Sequence, residues 1–166
     1  MLVAIVLVFA GITVNAQTAD SVIKVFWEYI NCWDQKEYEK MAEYLYPDIL
    51  AQIGGVQNFK EFMIAADNRI LASGFLLQIR NIEILENSVE YSGLHTKIYV
   101  LYYKIPFTFK DKTGYIGGCS IGIPKDGKWY LVSPDKKTKE FLLGIDEGFG
   151  DVSIEPQKRV FDNKEF

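Results

Sequence analysis

The chain of 166 residues is 49% hydrophobic, 24% charged and 14% aromatic, which fits one folded domain and argues against disorder. Its net charge of −4 lacks the basic footprint of a nucleic-acid binder. Two cysteines exclude a disulfide-built miniprotein and a four-cysteine zinc site.

Met1 to Ala16 holds thirteen apolar residues and no charge. Its apolar run, Leu2 to Ala10, is too short to span a hydrocarbon core of ~30 Å as a helix. It ends in Val14-Asn15-Ala16, a small-x-small pattern ahead of Gln17 that suits signal peptidase. The expectation is a signal peptide over 1–16, export to the periplasm or the extracellular space, and no stable membrane insertion after cleavage. In such a compartment Cys32 and Cys119 either bridge or stay as buried thiols, since each lies in an apolar neighbourhood.

From Asp20, a candidate N-cap, the pattern is helical, with Val22, Ile23, Phe26, Tyr29, Ile30 and Trp33 on one face. Asp34-Gln35-Lys36 interrupts the stripe, Tyr38, Met41, Ala42 and Leu45 restart it, and Pro47 is expected to stop it. After Gly54-Gly55 a third helix places Phe59, Phe62, Met63, Ala66, Ile70 and Leu71 on its apolar side, closed by Ser73-Gly74. The period then changes from helical to alternating. Phe75 to Glu86 is β-rich with a bulge expected near Arg80-Asn81. Val89 to Tyr91 and Lys97 to Lys110 follow as strands. Asp111 to Gly114 reads as a turn into Tyr115 to Ile123. Asp126-Gly127 is a hairpin signal before Trp129 to Val132. Gly114, Gly117, Gly118 and Gly122 are read as bends or bulges of a curved sheet. Lys136 to Leu143 suggests a short helix, and the chain from Gly144 onward reads as a loosely held tail, with Val152 to Ile154 as its candidate edge strand. Helices first and an antiparallel meander second predict an α+β domain, with three helices on a strongly curved sheet. The expected organisation is a signal peptide over 1–16, a domain over 17–145 and a charged tail over 146–166.

Trp33-Asp34 to Tyr38, Tyr46-Pro47-Asp48, the Gly-Gly pair and the ending Asp126 to Pro134, with its Trp after a turn, resemble the nuclear-transport-factor-2-like (cystatin-like α+β roll) superfamily. The resemblance covers about Ser21 to Leu143. It implies a cone-shaped roll, often dimeric, with a pocket between helices and sheet. The superfamily hosts both enzymes and binding modules, so function rests on the site. Where its ketosteroid isomerases carry a helix-one Tyr, this chain has Phe26. Where they carry the base it has the Ile53-Gly54 neighbourhood, with no carboxylate between Ile49 and Lys60. The dehydratases of the fold use a His–Asp couple, and the single histidine, His95, lies between a turn and a strand start and reads as a rim residue.

No catalytic residue, metal site or cofactor is expected, and neither a P-loop nor a dinucleotide fingerprint is present. Aromatic wealth remains. Tyr29, Trp33, Tyr99, Tyr103 and Trp129 are the candidate lining of an aromatic pocket, with Arg69 and Arg80 as candidates for its rim. The function expected is an exported, non-catalytic binding or accessory domain for a small apolar or aromatic molecule or a protein partner. A small lyase, isomerase or hydrolase of the same fold, or a structural homodimer, are the alternatives. The second face of the long strand, Ile98, Val100 and Tyr102, is too apolar to face water. It calls either for a two-fold dimer through the sheet or for cover by the chain's own tail, with Val152, Ile154 and Phe161 lying across it.

Overall fold

The computed structural model describes residues 13–86, 88–135, 137–152, 154 and 159–161. Met1 to Ile12, most of the expected signal peptide, lie outside the described residues. Four helices come first: α1 (Thr13–Asp34), α2 (Tyr38–Ala42), α3 (Pro47–Ile53) and α4 (Gly55–Ala72). The strands are β1 (Phe75–Leu77), β2 (Glu83–Ile84), β3 (Val89–Ser92), β4 (Lys97–Phe109), β5 (Lys112–Lys125) and β6 (Lys128–Val132). Helix α5 (Thr138–Ile145) and strand β7 (Arg159–Phe161) complete the described elements. All strand pairs are antiparallel, and β4 and β5 form the spine: β1, β2 and β3 pair along β4, while β6 and β7 pair with β5. The result is the expected α+β fold on a strongly curled sheet.

Several local expectations change. Within the described residues α1 already runs from Thr13, because nothing from Thr13 to Ala19 breaks a helix, so Asp20 is interior and is not its N-cap. Pro47 does not stop a helix; it opens α3 at the first helical position, where its missing N–H costs nothing. The bulge expected near Arg80 is a one-turn 3-10 helix, Ile79–Asn81, between β1 and β2. The β4–β5 turn falls earlier than expected, at Lys110-Asp111, with Phe109 paired to Lys112. The Asp126-Gly127 turn stands where it was read, with positive φ at both residues (52° and 76°), as a tight hairpin of the sheet's own twist requires.

The glycines of β5 are not bulges. The β4–β5 register is continuous from Tyr99 opposite Gly122 to Phe109 opposite Lys112. Gly118 and Gly122 are small because something lies against them: a Cβ would meet the Tyr103 ring at 2.6 Å and the Val22 side chain at 2.4 Å, respectively. Helix α1 thus sits close on β4–β6, burying Val22, Phe26 and Ile30 against Leu101 and Leu131.

The other face of the spine belongs to the C-terminal segment. Ile98, Val100, Cys119, Ile121 and Ile123 form one core with Leu142 and Phe149, and Val152 and Ile154 pack against it. The face that prompted the expectation of a sheet dimer is therefore covered within one chain, with Ile98 and Val100 fully buried. Nor are the described residues just after Gly144, from Ile145 to Val152, loosely held. The Asp146 carboxylate accepts hydrogen bonds from the backbone N–H groups of Leu94 (2.9 Å), His95 (2.6 Å), Thr96 (3.0 Å) and Gly148 (2.8 Å). Burial opposes ionisation there, but the four N–H donors prevail and hold its pKa well below the usual carboxylate range. The added edge strand is β7, on β5, and not Val152–Ile154. Cys32 and Cys119 are buried in different core clusters and no disulfide joins them.

Candidate functional site

Helix α4 buries Phe59 and Met63 against α2 and meets the sheet at β1. The chain passes directly from α4 into β1 through Ser73 and Gly74 (φ 81°). Between them lies a cleft of about 510 Å³. Ile64, Ile70 and Leu71 line one wall, and Leu76, Leu77 and Ile79 the other. Phe75 also lines it, stacked on Phe109 with ring centroids 4.5 Å apart and close to Phe107. The walls are unusually exposed for their chemistry: Leu71 is 68% and Leu76 58% accessible. Phe62 and Leu71, expected on the buried side of α4, flank it instead, because the stripe that packs is the narrower one through Phe59 and Met63.

One end of the cleft is polar. Asp67 accepts from the Trp33 indole N–H at 3.0 Å, from the Tyr38 hydroxyl and from the Lys36 ammonium. Lys36 reaches it from an uncommon backbone position. The Glu37 N–H donates to Cys32 O (2.9 Å) and the Lys36 N–H to Trp33 O (3.1 Å), a Schellman ending of α1 with Lys36 at the left-handed position that glycine ordinarily fills (φ 62°). Partial burial works against an ionised Asp67, but its three donors outweigh that, and its pKa lies below the ordinary value. Tyr38 is pushed the other way, first by burial and then by its bond to Asp67. At neutral pH the pair is thus an ionised carboxylate with three donors beside a protonated phenol. A carboxylate with a lowered pKa is a weak base, poorly suited to proton abstraction; held by three donors, it is well suited to fixing one end of a binding cleft.

The sequence-derived site residues distribute differently. Tyr29, Trp33, Tyr99, Tyr103 and Trp129 each pack against the core between α1 and the sheet. There the Tyr103 ring meets Phe26 at 5.0 Å, and the Tyr29 phenol has its pKa raised, by burial and then by Tyr103. Trp33 alone also reaches the cleft, through Asp67. Arg69 is exposed on α4, its Nε donating to Ala65 O at 3.2 Å, and Arg80 lies away from it on the 3-10 turn, paired with Asp34 at 2.8 Å. The lining of the cleft is aliphatic where an aromatic one was expected. Sequence reasoning missed Asp67, Lys36, Ile64 and Leu76. A signal was present: Ile64 and Leu71 lie seven residues apart, two helical turns, on a line separate from the Phe59–Met63 stripe.

No protein-family model matches the chain, and no curated protein sequence matches it. Among the described residues no group of His, Cys, Asp or Glu is arranged to hold a metal ion, and no helix is long and apolar enough to cross a membrane. Gly118-Cys119-Ser120-Ile121-Gly122 matches the Gly-x-Ser-x-Gly string of serine hydrolases, yet it runs through the middle of β5, and Ser120 is buried at 3% exposure in hydrogen bond with Tyr103. A nucleophile elbow needs a strand-to-helix turn with the serine at its exposed tip. This string supplies neither.

Proposed function

We propose that the chain is an exported, non-catalytic binding domain of the nuclear-transport-factor-2-like type, and that the α4–β1 cleft receives a small apolar or aromatic molecule. The observation that carries this reading is the exposure of Leu71 and Leu76 in a cleft of about 510 Å³ whose lining also includes Asp67 with its three donors. Apolar walls with a few convergent polar groups are the usual anatomy of a small-molecule site, and that volume lies inside its ~300–1,000 Å³ range. The helices-first layout and the curled sheet support the superfamily assignment. The uncharged apolar run ending at Ala16 supports export. Cleavage there would leave Asp20 in the new first turn of α1, where a carboxylate favours the helix dipole.

Calorimetric titration with a series of straight-chain alkanols tests the binding reading. Affinity is expected to rise by roughly 0.8 kcal/mol per methylene until the cleft is filled. Leu71→Glu and Leu76→Glu should each flatten the series. A flat series with the unaltered protein contradicts the proposal.

A further inference from the structure

A second cleft, of about 390 Å³, lies beside the buried stripe of α1, with Ile30 of that stripe in its lining, between that helix and the 3-10 turn at Ile79–Asn81. Trp27, Asn31, Asp34 and Gln35 supply one wall. Their spacing of four, seven and eight residues from Trp27 places them on one line down the helix. Ile79 and Arg80 supply the other. Trp27 is 38% exposed although it is one of the two tryptophans on α1, and it makes an edge contact with the Phe26 ring (centroids 5.7 Å apart).

The polar groups of this cleft are planar, and they are tied to each other. Gln35 Nε2 donates to Asn31 Oδ1 at 3.0 Å, and Arg80 Nε donates to Asp34 Oδ2 at 2.8 Å. Each pair holds its members in place while leaving further capacity: the two terminal nitrogens of Arg80, the second oxygen of Asp34, the amide nitrogen of Asn31 and the amide oxygen of Gln35. The Arg80 charge is balanced by Asp34, so the cleft is neutral overall and offers an anion little. Its walls are too polar for a lipid chain. An indole face beside amide, carboxylate and guanidinium planes matches a molecule with C–H groups on one face and a ring of hydroxyls around its edge. We propose that this cleft binds a neutral pyranose sugar, the indole of Trp27 covering the C–H face and Asn31, Asp34, Gln35 and Arg80 bonding the hydroxyls.

This site shares Ile79 with the α4–β1 cleft but none of the side chains proposed to bond the sugar. Saturation-transfer NMR with glucose, galactose, mannose and N-acetylglucosamine tests it on the whole chain. Transfer to the ring protons of at least one of them is expected, with a dissociation constant of about 1 mM. Trp27→Ala should abolish the transfer and Trp27→Phe restore part of it, while Arg80→Ala weakens binding by about tenfold or more. Leu71→Glu should leave it unchanged. Circular dichroism of each variant separates loss of binding from loss of fold. The proposal is overturned if none of the four sugars shows transfer, if transfer persists in a folded Trp27→Ala, or if only a sugar phosphate binds, since that would make charge and not the hydroxyl pattern the recognised feature.

Discussion

The two faces of the β4–β5 spine are built from the same strands by opposite means. Facing α1, β5 presents Gly118, Ser120 and Gly122, and the bulk comes from outside, from Tyr103 beneath and Val22 and Phe26 above. On the other face β5 presents Cys119, Ile121 and Ile123, and the cover is a late segment of the chain, α5 to Val152, latched by the Asp146 carboxylate. Side-chain volume fixes the first face. The second depends on a charged latch. The two clefts lie beside the sheet, one between α4 and β1 and the other where α1 meets the 3-10 turn.

The helix face should break hardest under truncation. Phe26→Ala removes a fully buried ring at its centre and is expected to cost about 3–5 kcal/mol by urea denaturation. Adding volume on the same face is the complementary test: Gly122→Ala pushes a methyl onto Val22 and should cost about 1–3 kcal/mol, with α1 as the element displaced.

The latch predicts a pH signature for the second face. Because the folded-state pKa of Asp146 is lowered, its contribution is present above the unfolded value of about 3.9 and is lost as pH falls below that. Amide protection in Leu142 to Val152, taken relative to the intrinsic exchange rate at each pH, should therefore fall on acidification before that of Val22 to Ile30 does, and Asp146→Ala should reproduce the loosening at neutral pH. Equal loss of protection on both faces would deny the latch. Asp67 titrates in the same direction, which is why the exchange is read residue by residue.

How much of this was legible follows the same divide. Local signals read true: the Val22–Phe26–Ile30 stripe, the stop at Ser73-Gly74 and the Asp126-Gly127 turn each depend on neighbours within a few residues. Pro47 misled because the same missing N–H suits a helix start as well as a stop. The cover of the outer face was harder to read, since Asp146 bonds a loop about fifty positions earlier and no local pattern announces such a reach. The α4–β1 cleft was masked by its own chemistry: an apolar side chain lining an open cleft looks, in sequence, like one lining a core. Arg80 was singled out as a rim residue, and it does line a cleft, though a different one from that holding Leu71.

The smallest stability effect is expected where binding should change most. Leu71→Glu, at a largely exposed position, should alter folding stability by no more than about 0.5 kcal/mol. The direct test of the cleft is methyl-resolved NMR during titration with naphthol. Saturable shifts confined to Ile64, Ile70, Leu71, Leu76, Leu77 and Ile79, and absent from Leu71→Glu, are the predicted result. Shifts centred instead on Leu101 and Leu131 beneath α1, or on Ile121 and Ile123 beneath the C-terminal segment, would contradict it.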